Sequence, residues 1–74
     1  MEHMKFKIQW NGYEWVLKAC RFEDHTKYWV TEGYSMFRWV LRRKAKRLAR
    51  ERGMYMEKLG KYQLQTEEFE IGVG

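Results

Sequence analysis

The residues with the most chemical potential lie between Ser35 and Arg52. Positions 36–53 hold eight basic side chains (Arg38, Arg42, Arg43, Lys44, Lys46, Arg47, Arg50 and Arg52) against the single carboxylate of Glu51, a local charge of +7. Guanidinium groups are permanently charged forks of N–H donors that match phosphate or carboxylate oxygens. They bind and orient anions, but they neither accept protons nor attack substrates near neutral pH. Several repeat at four-residue spacing, Arg42–Lys46–Arg50 and Arg43–Arg47, where like charges on a helix repel. A run this polarised implies an anionic partner or an acidic patch in the same molecule.

Read at 3.6 residues per turn, Phe37, Val40, Leu41, Ala45 and Leu48 form one apolar stripe, and Arg42, Arg43, Lys46 and Arg50 gather opposite with Trp39 among them. A tryptophan on a charged face is informative. Its ring offers a platform for guanidinium groups or nucleobases and is a common protein hot spot. Arg38, Trp39, Arg42, Arg43, Lys46, Arg47 and Arg50 are therefore the candidate residues for nucleic-acid or partner binding. The competing account is a purely solvating face, with Trp39 covered by residues 54–74 and Glu57, Glu67, Glu68 and Glu70 neutralising some arginines.

Other constellations are weak. Asn11-Gly12 and Gly33 are isolated turn glycines, not a phosphate loop. His3, Cys20 and His25 lack zinc spacing, so no metal site and no cofactor are expected. Cys20 and His25 are separated by a turn and have no orienting third group, so Cys20 reads as a small core or sheet residue. The carboxylates are scattered, with Glu67 and Glu68 on opposite faces of any strand. An enzyme is not expected.

The elements that would carry this helix follow from periodicity. Lys5–Trp10 alternates with period two, Phe6, Ile8 and Trp10 on one side. Asn11-Gly12 predicts a type I′ hairpin into Tyr13–Cys20, where Tyr13, Trp15, Leu17 and Ala19 share a face. After a polar connection through Glu23–Thr26, Tyr28–Thr31 fits a third strand closing at Gly33. The short connections predict an antiparallel meander. Ser35 is the expected N-cap of a helix over 36–52, and Gly53 its left-handed terminator. Met54–Lys61 reads either as a further helical turn or as a loop to Gly60. Tyr62–Val73 reads as a fourth strand, with a register change near Glu67-Glu68 that points to a bulge or two short strands. The fold class is α+β: a small antiparallel sheet, a three-strand meander plus a C-terminal strand, packed on one basic amphipathic helix.

The chain has 74 residues and a net charge of +5, with 4 Trp, 5 Tyr and 4 Phe to fill a core. Residues 1–3 read as a remnant ahead of a start at Met4, and 4–74 as one domain. One cysteine excludes an internal disulfide, and no apolar stretch is long enough for a membrane span or a signal peptide; the expected location is cytoplasmic. The order strand–strand–strand–helix with a late strand is similar to that of three-stranded DNA-binding domains, the second half of double-stranded RNA-binding domains and small antitoxin-like folds. Order alone is shared, no family signature accompanies it, and fold analogy does not supply function. The leading expectation is a small basic module that binds DNA or RNA through the 36–52 helix face. The alternative is a protein-binding adaptor or inhibitor, of a phage-type host-interaction or antitoxin-like kind, that docks the Trp-bearing helix on an acidic partner surface. A homodimer formed through an edge strand such as Tyr62–Thr66 is a further expectation, and no membrane partner is expected.

Overall fold

The computed structural model describes residues 3–23, 26–63 and 65–73. Five strands and one helix follow in the order β1 (His3–Trp10), β2 (Trp15–Glu23), β3 (Thr26–Ser35), α1 (Arg38–Arg50), β4 (Met56–Gln63) and β5 (Thr66–Gly72). The sheet order is β3-β2-β1-β5-β4, antiparallel throughout. The fold is α+β, as the alternation predicts, but with five strands rather than four. Met56–Gln63 is neither helical turn nor loop: it forms the edge strand of a C-terminal hairpin with β5. The register irregularity lies on β4, between Leu59 and Tyr62, and not at Glu67-Glu68. There a Cβ on Gly60 would sit 2.5 Å from the Glu68 carbonyl oxygen, so only glycine lets the two backbones approach.

The first hairpin forms with a longer loop than expected. Trp10 pairs with Trp15, and Asn11–Glu14 make the turn. Asn11 Oδ1 accepts from the N–H groups of Tyr13 and Glu14 at 2.9 Å, and Gly12 takes φ +100°. The asparagine side chain satisfies two turn donors that a tighter type I′ turn would not present. Tyr13 therefore leaves the strand face predicted for it and is 84% exposed. β3 runs past Gly33 to Ser35, with a bulge opposite Leu17/Lys18.

One face of the sheet carries the core. Met4, Phe6 and Ile8 of β1, Leu17 and Ala19 of β2, and Phe69 and Ile71 of β5 are buried against Leu41, Ala45 and Ala49 of α1. Phe6 and Phe69, directly cross-strand, stack with centroids 5.4 Å apart. The helix ridge is Leu41, Ala45 and Ala49, flanked by Leu48; it keeps Leu41, Ala45 and Leu48 of the stripe read from the sequence and has Ala49 in place of Phe37 and Val40. Phe37 and Val40 are 61% and 36% exposed. Phe37 is the N-cap, with extended backbone, so helical periodicity does not yet apply to it. The two alanines let the helix lie close to the sheet. That choice turns the buried ridge by about 60° from the centre of the sequence-derived stripe and sends Val40 outward.

Both helix ends carry identifiable signals. Ser35 is not the cap; its Oγ accepts from the Phe37 N–H at 3.1 Å and shapes the turn into the helix. At the other end Gly53, at φ +74°, closes the helix, with Met54 N–H donating to Ala49 O and Gly53 N–H to Arg50 O, both 2.9 Å. This is the six-to-one and five-to-two pairing of a glycine-terminated helix, and Met54 buries itself beneath it.

Candidate nucleic-acid interface

The helix cations divide into two groups according to what lies beside them. The first faces the C-terminal hairpin. β5 alternates strictly, so Glu67, Phe69 and Ile71 all point to the helix side, and Glu67 is only 4% exposed. Arg42 lies over this strand, its guanidinium 6.0 Å from the Phe69 ring centroid and in an ion pair with the Glu67 carboxylate. One helical turn on, Lys46 Nζ is 3.5 Å from Glu57 of β4. Burying a carboxylate without a partner costs several kcal/mol, roughly 3–5 when one member of a buried pair is removed, so Glu67 depends on Arg42. The expectation that residues 54–74 neutralise part of the helix therefore holds for these two cations. Of the other carboxylates considered, Glu70 pairs instead with Lys5 at 3.7 Å, across the sheet from the helix.

The second group points outward. Arg43, Arg47 and Arg50 are exposed, and among the described residues no carboxylate pairs with them. They line an open groove with Lys44, Val40 and Trp39, and Lys46 reaches its edge from the first group. The Lys44 side chain crosses Gly33 of β3; a Cβ there would stand 3.0 Å from Nζ, so the bulge glycine leaves room for the stem. Trp39 is 58% exposed and is not roofed by the C-terminal segment. Its ring sits 6.5 Å from that of Phe37, tilted by 33°.

A second cleft, of about 560 Å³, opens on the other side of Trp39. Its walls are Trp15, Phe37, Arg38, Trp39 and Arg42, with Glu67 inside. Arg38 does not join the outward row: its guanidinium covers the Trp15 ring at 4.9 Å, and Trp15 meets Trp10 edge-on at 5.2 Å. The seven candidate residues thus fall into two neighbouring surfaces with Trp39 between them. The sequence reading missed Phe37 and Trp15 as members, and named Glu67 only as one of four carboxylates that could neutralise the helix. Glu67 could have been found from the alternation Glu67–Phe69–Ile71, which puts a carboxylate in line with two core residues.

Other candidates stay apart from this region. Cys20 is half-buried on the sheet face away from the helix, opposite Trp29 in register, with its Sγ 3.9 Å from Arg21 O. On that face Lys7 Nζ lies 4.4 Å from the Trp29 ring centroid. His25, the base considered for Cys20, lies outside the described residues. Among the described residues no group of three metal-ligating side chains occurs, and no helix is long and apolar enough to cross a membrane. Comparison with protein-family models, curated proteins and solved structures gives no match to this chain.

Proposed function

We propose that the protein is a cytoplasmic nucleic-acid-binding module that engages the phosphate backbone through the outward row of α1. The observation that supports this most directly is the pairing pattern: Arg43, Arg47 and Arg50 share a groove with exposed Trp39, and the described carboxylates that reach the helix engage Arg42 and the groove-edge Lys46 but none of these three arginines. Phosphates are recognised by guanidinium forks, and a nucleic acid presents both a regular line of anions and flat rings for the indole. Binding of this kind is electrostatic, tolerant of sequence and sensitive to salt. What supports a binding role is what the site offers, charge and exposed aromatic surface.

Fluorescence anisotropy with labelled duplex and single-stranded oligonucleotides tests this. Binding is expected at about 50 mM salt, where electrostatic affinity is strong, and its absence there would sink the proposal. The adaptor reading draws on one observation, the exposed apolar group Tyr34, Met36, Phe37 and Trp39 around the start of the helix. A partner captured after nuclease treatment, and lost in Trp39→Ala, would favour it over nucleic acid.

A further inference from the structure

We propose that the favoured ligand is a single strand, held by stacking of any two of its bases on Phe37 and Trp39 as well as by the arginine row; this rests on the nucleic-acid reading above. The two rings are 61% and 58% exposed, with centroids 6.5 Å apart and planes tilted by 33°. Apolar side chains of this size are more often drawn into the core. Here backbone geometry keeps both out: Phe37 is the extended N-cap, and Trp39 stands about 120° round the helix from the middle of the Leu41, Ala45 and Ala49 ridge. The arginines continue from the rings. At 1.5 Å per residue, Arg43, Arg47 and Arg50 follow Trp39 by about 6, 12 and 17 Å along the axis, in the same groove.

The cleft on the other side of Trp39 admits the chain as well. Arg38 and Arg42 against Glu67 leave its charged wall net positive, and Glu67 is already engaged by Arg42. Phosphates are thus attracted on both flanks of the indole, and nothing in the wall selects one base over another. What selects is the bare ring surface. A base lying on a protein ring must present an open face, and inside a duplex both faces of each base are covered unless one is extruded. An unpaired strand offers such faces at no cost.

Magnitudes decide between the two forms. A duplex has the electrostatic advantage, because each phosphate contact releases about 0.9 counterion there against about 0.7 on a single strand. For three contacts, taken relative to 1 M salt, that favours the duplex by about sixfold at about 50 mM. Each stacked base favours the single strand by about 5- to 140-fold. Two rings give at least about 25-fold, so stacking outweighs the duplex advantage by at least about fourfold.

The test compares three labelled probes at about 50 mM salt: an oligothymidine of about 12 nucleotides, a strand of the same length and charge whose sugars carry no bases, and a duplex of equal length. The thymidine strand should bind at least about 25-fold more tightly than the abasic strand and at least about fourfold more tightly than the duplex. Phe37→Ala, at an exposed position, should weaken the thymidine strand about fivefold or more and leave the abasic strand unchanged. Equal affinity for thymidine and abasic strands overturns the stacking and leaves the nucleic-acid reading standing. So does a duplex that binds more tightly than the thymidine strand, or a Phe37→Ala protein that loses affinity equally for thymidine and abasic strands. No binding to any probe overturns both.

Discussion

Removing a cation from the outward row should change the salt dependence of binding, whereas removing the indole should change affinity alone. Arg43, Arg47 and Arg50 are the exposed guanidiniums of the groove that pair with no described carboxylate. If each neutralises one phosphate, log K against log salt has a slope of about −2 for a single strand and about −3 for a duplex. Between about 50 and 200 mM salt the single-strand affinity then falls by roughly 20-fold. Arg47→Ala leaves two contacts, so its slope should be about −1.4 and its loss over the same interval roughly sevenfold. Trp39→Ala removes a stacking platform worth about 1–3 kcal/mol per base, so it should lower affinity at every salt concentration and keep the wild-type slope. Anisotropy titrations of the three proteins at four salt concentrations give all these slopes. The reasoning fails if wild-type binding is indifferent to salt, or if Arg47→Ala has the wild-type slope.

Two predictions concern the scaffold. Leu41→Ala, at a position 1% exposed, should cost about 2–5 kcal/mol, whereas Trp39→Ala should stay within about 1 kcal/mol; at about 4–8 °C per kcal/mol for a domain this size, thermal melts separate the two plainly, and equal losses would mean that Trp39 is a packing residue. Gly60→Ala should destabilise by roughly 1–3 kcal/mol, because its Cβ would meet the Glu68 backbone oxygen at 2.5 Å and no side chain can move aside; an unchanged urea midpoint would show that β4 does not hold this register.

Most of the sheet was legible because its signals are local. Phe6 and Ile8 alternate with lysine and glutamine, and Asn11 and Gly12 mark the first reversal whatever the rest of the chain does. The type of that turn was not legible, since it depends on Asn11 Oδ1 choosing two downstream N–H groups over the solvent. The ends of α1 were half legible. Gly53 supplies a conformation that few residues adopt, while Ser35 and Phe37 compete for the start, and extended backbone at Phe37 decides it. Residues 54–63 carry too few β-branched side chains to declare a strand. β5, already paired with β1, presents its other edge, and tertiary pairing overrides the weak propensity. The rotation of the helix was illegible for a related reason. Amphipathicity locates an apolar half, but the close approach allowed by Ala45 and Ala49, against the larger Phe37 and Val40, sets which line within that half is buried.

The same rotation explains why, among the described residues, the charge of the helix is neutralised on one flank only. With Leu41, Ala45 and Ala49 facing the sheet, Arg42 and Lys46 lean toward the C-terminal hairpin, which brings Glu67 and Glu57 to them. Arg43 and Arg47 fall on the far side, one turn apart, where the repulsion of like charges costs the helix roughly 0.2–0.5 kcal/mol per pair. Solubility alone does not require that arrangement. The chain already has a net charge of +5, and a carboxylate at either position would relieve the repulsion and still leave a strongly basic segment. A partner that supplies the missing anions turns the repulsion into attraction on binding. Trp39, exposed at the head of that uncompensated row, then has a role that burial does not give it.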